Sequence, residues 1–244
     1  MFINDGLTKI EGETHAFLML GQSNMAGRGE LSDVETIVNR NCYMLRMGRW
    51  QKMSEPINPD RGVFSGKFHS GVSLGASFAD DVSRTLGWRV GLIPCADGGT
   101  RLAQWMPGEI LYDHAVMMAG LAARSATIEG ILWHQGGSDC ATDEDVDAYA
   151  GKFTEMITAL RAALGGDLPL MIGEVPELTD ARWGMRERAP RLNGIFKTLA
   201  EKLPNAVLVP AADLALKPDG LHFNSVSLRL LGSRYASAYM ELKK

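Results

Sequence analysis

Ala16-Phe17-Leu18-Met19-Leu20-Gly21-Gln22-Ser23-Asn24 is an apolar run of five residues stopped by a glycine and followed at once by polar side chains. Five residues are too few for a buried helix, and the missing polar alternation says that both faces are covered. A strand inside a parallel sheet reads this way. The pattern returns in Arg89–Pro94, Ile128–Trp133, Leu168–Ile172 and Ala206–Val209, each bounded by glycine, proline or polar residues. Helical patterns fill the gaps. Val72–Leu86 spaces Leu74, Phe78, Val82 and Leu86 on one face, and Asp113–Ala126, Asp143–Leu164, Arg186–Leu203 and Ser225–Leu242 complete the set. Strands alternating with helices predict an α/β fold: a central, mostly parallel five-stranded sheet with helices on both faces. One domain over 1–244 is expected, with 28–70, which holds few periodic apolar positions, as a long excursion over the active edge.

Composition narrows the partners. The 244 residues are 45% hydrophobic and 22% charged, enough apolar material for one continuous core. Lys+Arg 25 against Asp+Glu 29 gives a net charge of −4, which offers no field for nucleic acid or an anionic membrane surface. No stretch approaches ~18 uninterrupted apolar residues, and the polar opening MFINDGLTKIEGETH has no signal-peptide core, so a cytoplasmic protein without a membrane partner is expected. Cys42, Cys95 and Cys140 are too scattered for a disulfide framework or a zinc cluster. No metal and no cofactor are expected. The acidic run Thr142-Asp143-Glu144-Asp145 reads as a helix cap and first turn rather than a cation site.

In a sheet of this kind the loops leaving the carboxyl ends of the strands gather along one edge, where ligands bind. Those loops carry Gly21-Gln22-Ser23-Asn24, Asp97-Gly98-Gly99-Thr100-Arg101, His134-Gln135-Gly136-Gly137-Ser138-Asp139, Glu174-Val175-Pro176-Glu177 and Pro218-Asp219-Gly220-Leu221-His222. Acyl transfer needs what they hold. A serine hydroxyl needs a base, the base needs a carboxylate to fix its tautomer, and the developing oxyanion needs preorganised donors. Asp219 and His222 supply carboxylate and imidazole in one turn, and Ser23 the hydroxyl. The amides of Ser23 and of Gly99 or Gly98, with the side-chain amide of Gln135, are the available donors. Taken alone, a serine after a strand-ending glycine is more often a helix cap than a nucleophile.

Four ordered blocks lift it above that reading. Gly21-Gln22-Ser23-Asn24-Met25, Gly98-Gly99-Thr100, Trp133-His134-Gln135-Gly136-x-Ser138-Asp139 and Asp219-Gly220-Leu221-His222 resemble the SGNH-hydrolase superfamily. The nearest branch is the sialate O-acetylesterase-like group that includes carbohydrate esterase family 6. The resemblance implies a three-layer α/β/α, flavodoxin-like fold and metal-free removal of acetyl groups from sugars, with a small or oligosaccharide acetyl ester as substrate. It also implies Ser23 as nucleophile, His222 as base, Asp219 as its orienter, and Gly99 and Gln135 as oxyanion donors. One departure stands out: the branch usually has glutamate where this chain has Gly137. Two other functions stay open, a non-catalytic sugar-binding descendant and an esterase for non-sugar short-chain esters.

The remaining candidates have plainer readings. His134 reads as a hydrogen-bonded scaffold, His15 as a surface residue, His114 as a solvated one, and His69 as a residue near the cleft. Arg101 fits an anion anchor or a surface ion pair, and Trp105 a sugar platform or a core residue.

Overall fold

The computed structural model describes residues 13–59, 69–177 and 185–244. Its centre is a seven-stranded sheet. The strands are β1 (Thr14–Gly21), β2 (Cys42–Arg46), β3 (Arg49–Lys52), β4 (Arg89–Pro94), β5 (Thr127–His134), β6 (Leu170–Gly173) and β7 (Ala206–Val209). Their order is β3-β2-β4-β1-β5-β6-β7, and every neighbouring pair is parallel except β2 with β3. The five expected strands are all present. The two additional ones form a hairpin inside the segment 28–70 and extend the sheet at its far edge. Met47 and Gly48 turn this hairpin with φ of 52° and 72°, the left-handed pair that a two-residue turn requires. The part of that segment spanning 60–68 lies outside the described residues.

The helices are a single turn α1 (Ser23–Ala26), α2 (Leu74–Leu86), α3 (Ile110–Ala123), α4 (Asp143–Leu164), α5 (Met185–Lys202) and α6 (Ser225–Leu242). Strand β1 shows how they are divided. Phe17 and Met19 point into a core shared with α2 and α6, while Ala16, Leu18 and Leu20 point into one shared with α3, α4 and α5. All five are at most 1% exposed, as a strand covered on both faces demands. Caps mark the helix boundaries. Ser73 accepts from Gly75 N at 3.2 Å, Thr142 from Asp145 N at 3.1 Å and Asn224 from Ser227 N at 2.8 Å.

The topology itself places the site. After β1 the chain builds one side of the sheet through β2, β3 and β4, then crosses back to build the other through β5, β6 and β7. The order reverses at β1, so a crevice opens beyond its carboxyl end, between the loops that follow β4 and β5.

Candidate active site

Ser23 stands at that point. Gly21 ends β1 with φ of +139°, and a Cβ built there would lie 2.1 Å from the His134 carbonyl oxygen, so the close β1–β5 approach requires glycine. Gln22 N then donates to His134 O at 3.0 Å, and α1 starts at the buried residue Ser23. No acceptor among the described residues takes the Ser23 amide, since a helix's first N–H groups have no partner within it.

The other partners arrive on the loop between β7 and α6. Ser23 Oγ donates to His222 Nε2 at 2.8 Å, and His222 Nδ1 donates to Asp219 Oδ2 at 2.8 Å. The second carboxylate oxygen, Asp219 Oδ1, accepts the amides of Leu221 at 2.9 Å and His222 at 3.0 Å, which closes the turn and fixes the carboxylate against the ring. Partial burial pushes the Asp219 carboxyl up, but the His222 ring bond and these two amides outweigh it and hold it below its usual range. A strap that the sequence reading missed joins the two halves. Asn24 Nδ2 donates to Leu221 O at 3.3 Å, and Asn24 Oδ1 accepts from Phe223 N at 3.1 Å. The residue after the serine thus grips both neighbours of the histidine.

The loop after β4 closes another wall. A Cβ at Gly98 would lie in ordinary contact with Ser23 Cβ at 3.6 Å and 2.5 Å from Arg28 Nη2, so a side chain there would displace the Arg28 guanidinium. Gly99 follows with φ of +74°, exposed, its amide without an acceptor among the described residues. Asn58 ties this loop back by exchanging hydrogen bonds of 3.1 Å with the amide and carbonyl of Ala96. These residues border a cavity of about 550 Å³, together with Gln22, Gly137, Val175, Pro176, Met185 and Leu221. That volume is ordinary for a small-ligand site.

Gln135 has a different place from the one expected. It borders the same cavity but is fully buried, and its Nε2 donates to Thr100 O at 2.9 Å and to Asp139 Oδ2 at 2.5 Å. Its Oε1 accepts from the Tyr149 hydroxyl at 2.7 Å. An amide has two N–H hydrogens, and both are used. The expected oxyanion donor is therefore a brace between the β4 and β5 loops. Asp139 completes that brace by accepting Leu102 N at 3.0 and 3.2 Å, and burial raises its carboxyl to about 6. Asp139 closes the third sequence block without an assigned role, and nothing in the spacing of Asp139 or Tyr149 says that they meet Gln135.

The plainer readings are settled by contacts. His134 is a scaffold: its Nδ1 meets the Tyr235 hydroxyl at 3.1 Å, and burial lowers its pKa to about 3. Trp105 is a core residue, 1% exposed, with Nε1 on Thr100 Oγ1 at 3.1 Å. Arg101 pairs with Asp145 at 3.1 Å. His15 is not a free surface residue: it stacks on Trp88 at 3.7 Å and bonds Glu129 at 2.7 Å. His114 is partly buried rather than solvated, and burial lowers its pKa. His69 is exposed and does not border the cavity.

A serine hydroxyl bonded to an imidazole that is itself held by a carboxylate is an arrangement able to carry out acyl transfer. Known proteins match the chain over most of its length. The model of the family described as carbohydrate esterase, sialic acid-specific acetylesterase matches residues 13–241. The probable carbohydrate esterase At4g34215 of Arabidopsis thaliana is 30% identical over 92% of this chain and 89% of its own. Its X-ray structure superposes with a TM-score of 0.81 over 94% of this chain and 99% of that one. NanS shares the fold at a TM-score of 0.71 and 16% identity, over 94% of this chain and 97% of its own. So does a carbohydrate acetylesterase from Xanthomonas citri at 0.62 and 20%, over 95% of this chain and 56% of that one. With the matched span running from the start of β1 almost to the end of α6, the chain belongs to the sialic acid-specific acetylesterase family of carbohydrate esterases and has the fold of the SGNH hydrolases.

Proposed function

We propose that this protein is a serine esterase that removes acetyl groups from O-acetylated carbohydrates through an acyl-enzyme. The observation that carries the reading is the unbroken relay from Ser23 to His222 to Asp219, with Ser23 and His222 bordering the cavity. With its Nδ1 hydrogen on Asp219, His222 presents a bare Nε2 lone pair to the serine hydroxyl. Ser23 Oγ attacks the ester carbonyl as its proton moves to Nε2, and the charge that forms on the carbonyl oxygen faces the amides of Ser23 and Gly99. Collapse of the tetrahedral species breaks the bond to the sugar oxygen, which takes the proton from His222. Water then repeats the sequence on the acetyl-serine, with His222 as base, and frees acetate. No step calls on a metal or a cofactor. Gln135 acts in this account by holding Thr100, and with it the Gly98-Gly99 turn, against the β5 loop.

The test is acetate release from a panel of acetylated monosaccharides and oligosaccharides, with an acid quench and intact-mass measurement to trap the acetyl-enzyme. The expected result is turnover with an acetyl group on the Ser23 peptide. Binding of acetylated sugars without acetate release would favour the non-catalytic alternative. Turnover of simple acetate esters alone would favour a non-sugar esterase.

A further inference from the structure

The residue before the nucleophile holds a side-chain amide whose hydrogens meet no acceptor among the described residues. Gln22 Oε1 accepts from two backbone amides, Gly136 N and Ser138 N, each at 3.4 Å. Two backbone N–H groups converging on one atom identify it as the oxygen, so the other end of the amide, Nε2, is the donor. No acceptor among the described residues takes either Nε2 hydrogen, although Gln22 borders the cavity. Opposite stands Gly137. Its φ is outside the left-handed region, so its backbone does not demand glycine, and a Cβ built there would meet Gln22 Nε2 at 3.1 Å and nothing else closer than Gln22 Cδ at 4.0 Å. Any side chain at 137 would start against the Gln22 amide, and one with an acceptor oxygen would occupy it.

We infer that the side-chain amide of Gln22 is a substrate-binding donor that takes an acceptor oxygen on the sugar part of the ester, and that glycine at 137 keeps it open. The inference rests on the esterase reading above and deepens it. The sheet order assigns the contact to the sugar. Ser23 follows β1, the Gly98-Gly99 turn follows β4 on one flank, and the Gly136-Gly137 turn follows β5 on the other. The ester carbonyl oxygen is directed to the Ser23 and Gly99 amides on the β4 flank, and the acetyl methyl offers no acceptor. The oxygens left for a donor on the β5 flank are the hydroxyl and ring oxygens of the alcohol.

Two variants and a control test this by steady-state kinetics on an acetylated sugar and on p-nitrophenyl acetate, each at its own optimum pH and checked by thermal melting. Gly137→Glu lays a carboxylate on the Gln22 amide. Gln22→Glu keeps an oxygen for Gly136 N and Ser138 N but replaces the donor by an acceptor. Each should raise KM for the sugar ester by roughly 3- to 10-fold, the size of one neutral hydrogen bond, and should move it more than KM for the aryl ester. Gly137→Ala adds bulk without an acceptor and should raise the sugar KM less than Gly137→Glu does. Equal KM changes on both esters, or none on either, would overturn the contact. A fall in kcat on the aryl ester at fixed KM would reassign the amide to the oxyanion and overturn it too. Wild-type protein that releases no acetate from any ester would remove the esterase reading itself, an outcome seen before any variant is made.

Discussion

Gln135 and Asp219 are each defined by what their side chains already hold. The buried Gln135 amide satisfies Thr100 O, Asp139 and the Tyr149 hydroxyl. Gln135→Ala should therefore lower the unfolding free energy, since each buried group left without a partner costs about 1–3 kcal/mol. It should also slow turnover by loosening the Gly98-Gly99 turn. Urea unfolding and aryl-acetate kinetics on the same preparation check this. An oxyanion donor would instead lose about 10²–10³ in kcat with stability unchanged. Asp219→Asn is expected to stay folded and lose on the order of 10⁴ in kcat, because an amide at that place favours the wrong tautomer of His222. The four motif blocks made Ser23, His222, Asp219 and the glycine pair legible. They did not show the Gln135 brace, because a motif names a residue and not the acceptors that compete for its hydrogens. Asp139 lies four positions away, but Tyr149 reaches Gln135 from α4.

The elements were legible in proportion to how continuously they are buried. Strand β1 is covered on both faces, and its apolar run announces it. The limits of α4 and α6 coincide with the expected ones; Thr142, legible as a cap, starts α4, and the Asn224 side chain caps α6 in the same way. The hairpin of β2 and β3 was missed because β2 buries only Cys42, Met44 and Leu45, and β3 buries none of its four residues. Its signal, Met47-Gly48 between Arg46 and Arg49, is a turn without an apolar pattern on its second arm. At this scale Gly21→Ala tests how the site is hung on the sheet. The added methyl meets the His134 carbonyl at 2.1 Å on a backbone with φ of +139°, so β1 and β5 must separate where Ser23 begins. The expected outcome is a lowered melting temperature together with a loss of turnover. A stable variant of unchanged kcat would show that the β1–β5 junction does not position the serine.

Across the whole molecule, stability should depend on pH through two buried groups of opposite sign. His134 is kept neutral down to about pH 3, so its contribution is complete above the unfolded value near 6.5 and is lost as pH falls. Asp139, raised to about 6, contributes below the unfolded value near 3.9 and loses that contribution as pH rises through about 6. Between about pH 4 and 6 the two offset one another. His134→Gln should unmask a fall in stability with rising pH, and Asp139→Asn a fall with decreasing pH. Each slope is at most about 1.4 kcal/mol per pH unit, for one proton. Urea unfolding of both variants at a series of pH values reads the slopes, and parallel pH curves for the variants and wild type would contradict the assignment.

The proposed chemistry requires Ser23 Oγ to be the atom that takes the acyl group. Its hydroxyl ends the relay from Asp219 through His222, and replacing it by alanine removes one oxygen from a loop that the Asn24 strap still holds. The most direct measurement is the aryl-acetate kcat of purified, folded Ser23→Ala. The expected value is near background, a loss that can reach about 10⁶ where a nucleophile of this kind is removed. Retention of a tenth of wild-type kcat, on the order of 10⁵ above that expectation, would contradict it.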